Sequence, residues 1–236
     1  MTASMYARLS EILNDAAKDE GTRVVLLHGA GDSFSAGNDV EDFLKNPPGP
    51  GESPQARLMN ALADFDKPLV AAVHGAAVGS GTTMLLHFDF VYAGESAKFL
   101  MPFINLALVP EFGSSFCLPA RLGHIRAAEL ILLGLPFDAR RAADLGFVTQ
   151  VVPDQNVLAT AMETAQKLAA KPAAALQASK RLLKRPFREQ TKAAMKAENE
   201  EFSAQVRSED AKEALNAFLQ KRRPDFSKTR KSATPA

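Results

Sequence analysis

Two short stretches rich in small residues, FSAGND at 34–39 and HGAAVGSG at 74–81, can let a ligand approach the main chain closely. Each follows an apolar run of strand length, and the second opens into a helical stretch whose first amides and dipole favour negative charge. Brought together, the two loops can offer two N–H donors to one oxyanion. The same spacing suits two tight turns whose glycines serve packing, and spacing alone leaves both readings open. Other chemistries fit less well. Gly29 and Gly31 follow a strand-like run, but a dinucleotide fingerprint needs glycine where Phe34 stands, and no phosphate-cradling Gly-Lys-Ser/Thr occurs. Ser80 sits in a Val-Gly-Ser-Gly run that only superficially resembles a nucleophile elbow, and it has no evident acid–base partner. His28, His74, His87 and His124 lack close metal-ligand spacing, so no metal site is expected.

The elements that must carry these loops follow from hydrophobic period. Met5, Leu9, Ile12, Leu13 and Ala16 recur at helical spacing and predict an amphipathic helix over 5–19. The continuous apolar runs at 22–28 (TRVVLLH) and 69–73 (LVAAV) suit strands buried on both faces. Helices are expected at 55–66, 82–88, 125–133 and 139–145, and on a stretch ending at Arg121. Asp138 is the expected N-cap of the 139–145 helix and Gly146 its stop. Short strands fit 90–93, 98–100 and 147–152, while the Pro/Gly-dense 46–54 reads as a loop or insert. Beyond Pro153, periodic helices run to about Arg223. The recurrence of strand then helix predicts an α/β domain followed by a helical C-terminal part.

Composition agrees. The chain has 236 residues, 46% hydrophobic and 23% charged, enough for one large domain. All 14 glycines lie between Gly21 and Gly146, so loop chemistry is concentrated in the front part. With 28 Lys+Arg against 27 Asp+Glu there is no global field for nucleic acid, and a nucleic-acid role is not expected. The basic residues Lys221, Arg222, Arg223, Lys228, Arg230 and Lys231 gather at the end, as a solvated tail or a local anion site. One cysteine, Cys117, excludes an internal disulfide. No apolar run reaches membrane-spanning length and no secretory pattern opens the chain, so a cytoplasmic, membrane-free protein is expected.

The chain resembles the crotonase superfamily, the enoyl-CoA hydratases and isomerases. The match is carried by FSAGNDVEDF at 34–43, KPLVAAVHGAAVGSGTTMLLHFDFVYA at 67–93, AKFLMPFINLALVPEFGSS at 97–115 and ARRAADLGFVTQVV at 139–152. It implies a spiral of β-β-α turns over 1–152, a helical oligomerisation region over 153–223 and a flexible basic tail over 224–236. Homotrimers or hexamers are expected. The shared chemistry is stabilisation of a coenzyme A thioester enolate by two main-chain N–H groups. Aligned on FSAGND the first donor falls on Ala36, and counted back from Asp89 the second falls on Ser80. Serine can donate there through its amide, provided its side chain points away.

The resemblance also separates the reactions. Hydratases use two glutamates, and those positions align with Thr83 and Phe103. The remaining acid in the region is Glu111, in Val-Pro-Glu-Phe-Gly, where monofunctional Δ3,Δ2-enoyl-CoA isomerases and related ring-opening isomerases carry their base. A single carboxylate can take a proton from C2 and return one at C4, while the thioester oxygen charge rests on the Ala36 and Ser80 amides. Phe103, Phe112 and Phe116 can exclude water and raise the proton affinity of Glu111. The leading expectation is a Δ3,Δ2-enoyl-CoA isomerase. The alternatives are another acyl-CoA enzyme acting on ring-substituted or dienoyl thioesters, a hydratase, or a non-catalytic acyl-CoA-binding subunit.

No separate cofactor is implied, because coenzyme A belongs to the substrate. Ala36, Gly37, Asn38 and Asp39 fall where relatives line the coenzyme A path, and Phe202 and Lys221 match a C-terminal aromatic and lysine that touch the nucleotide in some relatives. The family pattern also places a strand pair ahead of the first helix, with no counterpart here. Its lack is expected to leave a sheet edge uncovered.

Overall fold

A computed structural model describes residues 1–45 and 53–227. The insert at 46–52 and the basic tail from 228 onward lie outside the described residues.

The chain opens with α1 (Ala3–Lys18), capped by the Thr2 hydroxyl, which accepts from the Met5 amide. A four-stranded parallel sheet follows in the order β1 (Val25–His28), β2 (Leu69–Val73), β4 (Phe90–Gly94), β7 (Gln150–Val152). A smaller sheet pairs β3 (Ala76–Val78) with β5 (Lys98–Leu100) in parallel and β5 with β6 (Phe137–Asp138) antiparallel. Each turn of the spiral lays one strand in the first sheet, bends sharply, lays a shorter one in the second and leaves through a helix. In the first turn the shorter strand shrinks to one parallel bridge, Ser35 to Ala77. The spiral α/β fold with a helical C-terminal region is therefore the observed one.

The helices between strands are α2 (Val40–Lys45), α3 (Pro54–Asp64), α4 (Ser80–Thr83), α5 (Ser114–Leu122), α6 (His124–Leu133) and α7 (Ala139–Asp144). The predicted 82–88 helix is split: α4 tightens into a 3-10 turn over Met84–His87. Asp138 caps α7 as expected, its carboxylate accepting from the Arg141 amide. The C-terminal helices are α8 (Val157–Ala169), α9 (Ala173–Lys184), α10 (Arg188–Gln205) and α11 (Glu209–Leu219).

β2 shows why a strand can be apolar throughout. Leu69, Ala71 and Val73 face the main core, while Val70 and Ala72 face a second cluster under α8 with Tyr92, Val157 and Ala161. The expectation of two buried faces fails at β1. Among the described residues β1 pairs only with β2, and as an edge it is half-buried, with His28 exposed. β3 and β6 were not anticipated: strands of three and two residues are too short to show a period.

The C-terminal helices are not set apart from this body. α8 covers β1, β2 and β4, α10 packs on α3 and α5, and α11 meets α2. α9 is pinned by Lys180, whose ammonium donates to the Lys67 carbonyl at 2.8 Å and to Asp89 at 2.7 Å. The Asp89 carboxylate in turn accepts the Leu69 amide.

Candidate active site

The two small-residue loops lie side by side because the main chain stitches them together. Phe34 N–H donates to the His74 carbonyl, Ser35 N–H to Ala76, and Val78 N–H back to Ser35, at 2.8–3.0 Å. The glycines are there for close approach. Gly37 has φ +80°, and a Cβ on it would sit 2.6 Å from the Val78 carbonyl oxygen. A Cβ on Gly81 would meet the Ser35 side chain at 2.7 Å. Ala36 and Ser80 are thereby neighbours across this seam. Among the described residues neither amide donates to another main-chain group. The Ser80 amide is at the N-terminus of α4, after Gly79 turns the chain at φ +55°.

The side chain of Ser80 is buried and is not idle: its hydroxyl accepts from the Tyr6 phenol at 2.7 Å. Tyr6, on α1, also bonds the Asn38 carboxamide oxygen. Asn38 therefore points into the same cluster, beside the acid, while the Asp39 carboxylate caps α2 by accepting the Glu41 and Asp42 amides at 3.0 and 3.2 Å.

Glu111 is 2% exposed. Its Oε2 accepts from the Gln55 carboxamide at the start of α3, and its Oε1 meets no donor with hydrogen-bond geometry. Burial, then the nearby negative charge of Glu198, push its pKa up to about 8, against the opposing bonds of Gln55 and Asn38. A buried oxygen without a partner is costly in a resting fold and is suited to accepting a proton. Tyr6 is held well above its usual range, first by burial and then by the charge of Glu111.

The backbone that presents this acid is strained. Phe112 has φ +59°, a left-handed conformation that costs a bulky residue about 1–3 kcal/mol. Two groups hold it. His87 faces the Phe112 carbonyl through Nε2 at 2.8 Å, and burial lowers its pKa to about 4, so the ring is neutral and donates through Nε2–H. Glu198 of α10, 6% exposed, accepts the Gly113 amide at 2.6 Å and the Ser115 amide at 2.7 Å. Gly113, at φ +70°, completes the turn into α5.

Phe112 and Phe103 are buried in the main core and Phe116 is partly covered, forming an apolar surround. Thr83 is also buried, its hydroxyl on the Gly79 carbonyl at 3.2 Å. Of the two residues that the resemblance places at the nucleotide, Phe202 is packed in the main core and Lys221 is exposed beyond α11. Of the predicted set, Ala36, Gly37, Asn38, Ser80 and Glu111 fall together. Tyr6, Gln55, His87 and Glu198 complete the cluster, and sequence reasoning did not place them there. A cleft of about 240 Å³ beyond His87, lined by Phe116, Phe187 and Lys184, is separate from the Ala36–Ser80 seam. Among the described residues no group of three or more His, Cys, Asp or Glu side chains is placed to hold a metal ion, and no helix is long and apolar enough to cross a membrane.

Comparison with known proteins gives this geometry a lineage. The family described as enoyl-CoA hydratase/isomerase matches residues 1–229. The chain is 36% identical to 1,2-epoxyphenylacetyl-CoA isomerase of Escherichia coli over 94% of its length and 87% of that protein. It is 34% identical to rat enoyl-CoA delta isomerase 2, covering 93% of this chain and 57% of that one. Among solved structures, Pseudomonas aeruginosa OdaA superposes with TM-score 0.90 at 46% identity, over 93% of this chain and 89% of the other. An enoyl-CoA hydratase/isomerase from Pseudoalteromonas atlantica gives the same TM-score at 39% identity, over 96% and 90%. With the family match running over residues 1–229 and relatives similar over most of its length, the chain belongs to the enoyl-CoA hydratase/isomerase family.

Proposed function

We propose that the protein is an enoyl-CoA isomerase that moves a Δ3 double bond to Δ2. The observation that carries this reading is Glu111: a buried acid, pKa about 8, with Oε1 unpartnered, while Thr83 and Phe103 stand where the resemblance places hydratase glutamates. Ionised Glu111 takes a proton from C2 of the acyl thioester and returns it at C4. The charge that develops on the thioester oxygen rests on the Ala36 and Ser80 amides. One acid on one face suffices for both transfers, and the apolar surround withholds the water a hydratase would add. A 3-enoyl-CoA supplied to the purified protein yields the conjugated 2-enoyl thioester. Absence of product, or full activity in Glu111→Gln, overturns the reading.

A second reading, isomerisation of an oxygenated ring thioester, is supported by the phenol of Tyr6, the hydroxyl of Ser80 and the amide of Asn38 beside the acid. Parallel rates on linear and ring-substituted thioesters separate the two. The working unit we infer is a homotrimer or hexamer, supported by the exposed Ile125, Leu132 and Leu133 on α6. A monomeric mass in solution excludes it.

A further inference from the structure

We propose that Glu198, on α10, is a positioning residue: its carboxylate clamps the turn that carries Glu111 and sets a second buried negative charge beside that acid. The inference rests on the reading of Glu111 as the base and adds a residue to it.

The geometry comes first. The turn at 111–113 must hold a bulky residue, Phe112, in the left-handed region, where an unconstrained chain rarely stays. Glu198 grips the two amides that follow, Gly113 and Ser115, one with each oxygen, at 2.6 and 2.7 Å. It does so from a helix packed on α5, so the clamp is as rigid as the helix pair. These amides open α5, where a carboxylate also meets the positive end of the helix dipole. Release of the clamp lets the turn relax and the acid swing, and a small misplacement of a reacting group is expensive in rate.

Charge is the second contribution. The titratable neighbours of Glu111 are Tyr6 from α1 and Glu198 from α10, with neutral His87 reached through the Phe112 carbonyl. Burial raises the pKa of Glu198 itself, opposed by the bonds from Ser115 and Gly113, and its charge in turn contributes to raising Cys117. Of this set, Glu198 is the carboxylate that disfavours ionisation of Glu111, so it tunes the base upward toward working pH.

Three variants test this. Glu198→Gln keeps the shape, removes the charge and sets an NH2 group against one amide. Its kcat should fall about tenfold with KM nearly unchanged. The Glu111 carboxyl, followed by difference infrared spectroscopy as the band lost in Glu111→Gln, should titrate about one pH unit lower. Glu198→Asp keeps the charge but cannot span both amides, so kcat should fall while the titration stays at the wild-type position. A merely structural residue would lower thermal stability and leave the titration of Glu111 where it was. Wild-type titration in folded Glu198→Gln, or undiminished kcat in Glu198→Asp, overturns the proposal. If Glu198→Gln does not fold, the Glu198→Asp kcat decides. The infrared readout needs no turnover, so a failed isomerase reading leaves this test of the charge intact.

Discussion

The loops around Ala36 and Ser80 present main-chain amides, whereas the turn at Glu111 presents a side chain whose properties come from four other elements. The first region is assembled from strand bridges and glycines, and the bonds of Phe34, Ser35 and Val78 hold it as they would hold any sheet corner. The second depends on Gln55 from α3, Asn38 before α2, His87 after α4 and Glu198 from α10. An amide donor survives most changes of side chain. A base survives almost none, and its proton affinity shifts when a distant neighbour changes.

Removing the proposed base should break the comparison most severely. Glu111→Gln should lower kcat about a thousandfold, with acyl-CoA binding nearly unchanged in a calorimetric titration. Acidification should do next most. Below the Glu111 pKa of about 8 each pH unit should cost about tenfold in kcat/KM, so pH 6 runs about a hundredfold below the plateau. Stability carries the opposite sign. The folded acid holds its proton up to about 8, while the unfolded one releases it near 4.5, so this group makes stability fall as pH rises across that window. Denaturation midpoints of wild type should lose ground to Glu111→Gln from pH 5 to pH 8. His87 acts the other way. Its folded pKa, about 4, lies below the ordinary 6.5, so the fold loses stability as pH falls through that range, and His87→Gln should lessen the acid-side loss.

Changes to the amide side should be smaller, provided the backbone stays in place. Gly37→Ala forces a Cβ against the Val78 carbonyl at positive φ, and should cost about 2 kcal/mol of stability and about tenfold or more in kcat. Ser80→Gly, by contrast, removes the hydroxyl that Tyr6 bonds but leaves the amide, so kcat should stay within about threefold. If Ser80→Gly fell as far as Glu111→Gln, the donor would be the side chain, and the contrast between the two regions would collapse.

The amide side was largely legible in sequence, and the acid side only at its centre. FSAGND and the Gly-Ser-Gly run mark close backbone approach because glycine at positive φ leaves a local trace. The three residues of β3 between those glycines were read as loop, since so short a strand has no period. Glu111 stood out as the acid in a Pro-Glu-Phe-Gly turn, and Phe103, Phe112 and Phe116 pointed to an apolar surround, but nothing near it names the polar groups that it meets. Gln55 reaches it across 56 residues, Tyr6 reaches Ser80 across 74, and Glu198 reaches Gly113 across 85. Each sits in an ordinary helical pattern that would equally suit a solvated face, and a side chain's neighbour across such a span leaves no periodic signal.

The sequence by itself determined most of the longer strands and helices and the glycine corners, because these depend on local conformational preference and hydrophobic period, and its family resemblance singled out the candidate acid. Only the tertiary structure decided how basic that acid is, which of its oxygens is free and which helix holds its turn. Those follow from desolvation and charge at distances of a few ångströms, and such distances exist only once the chain has closed on itself.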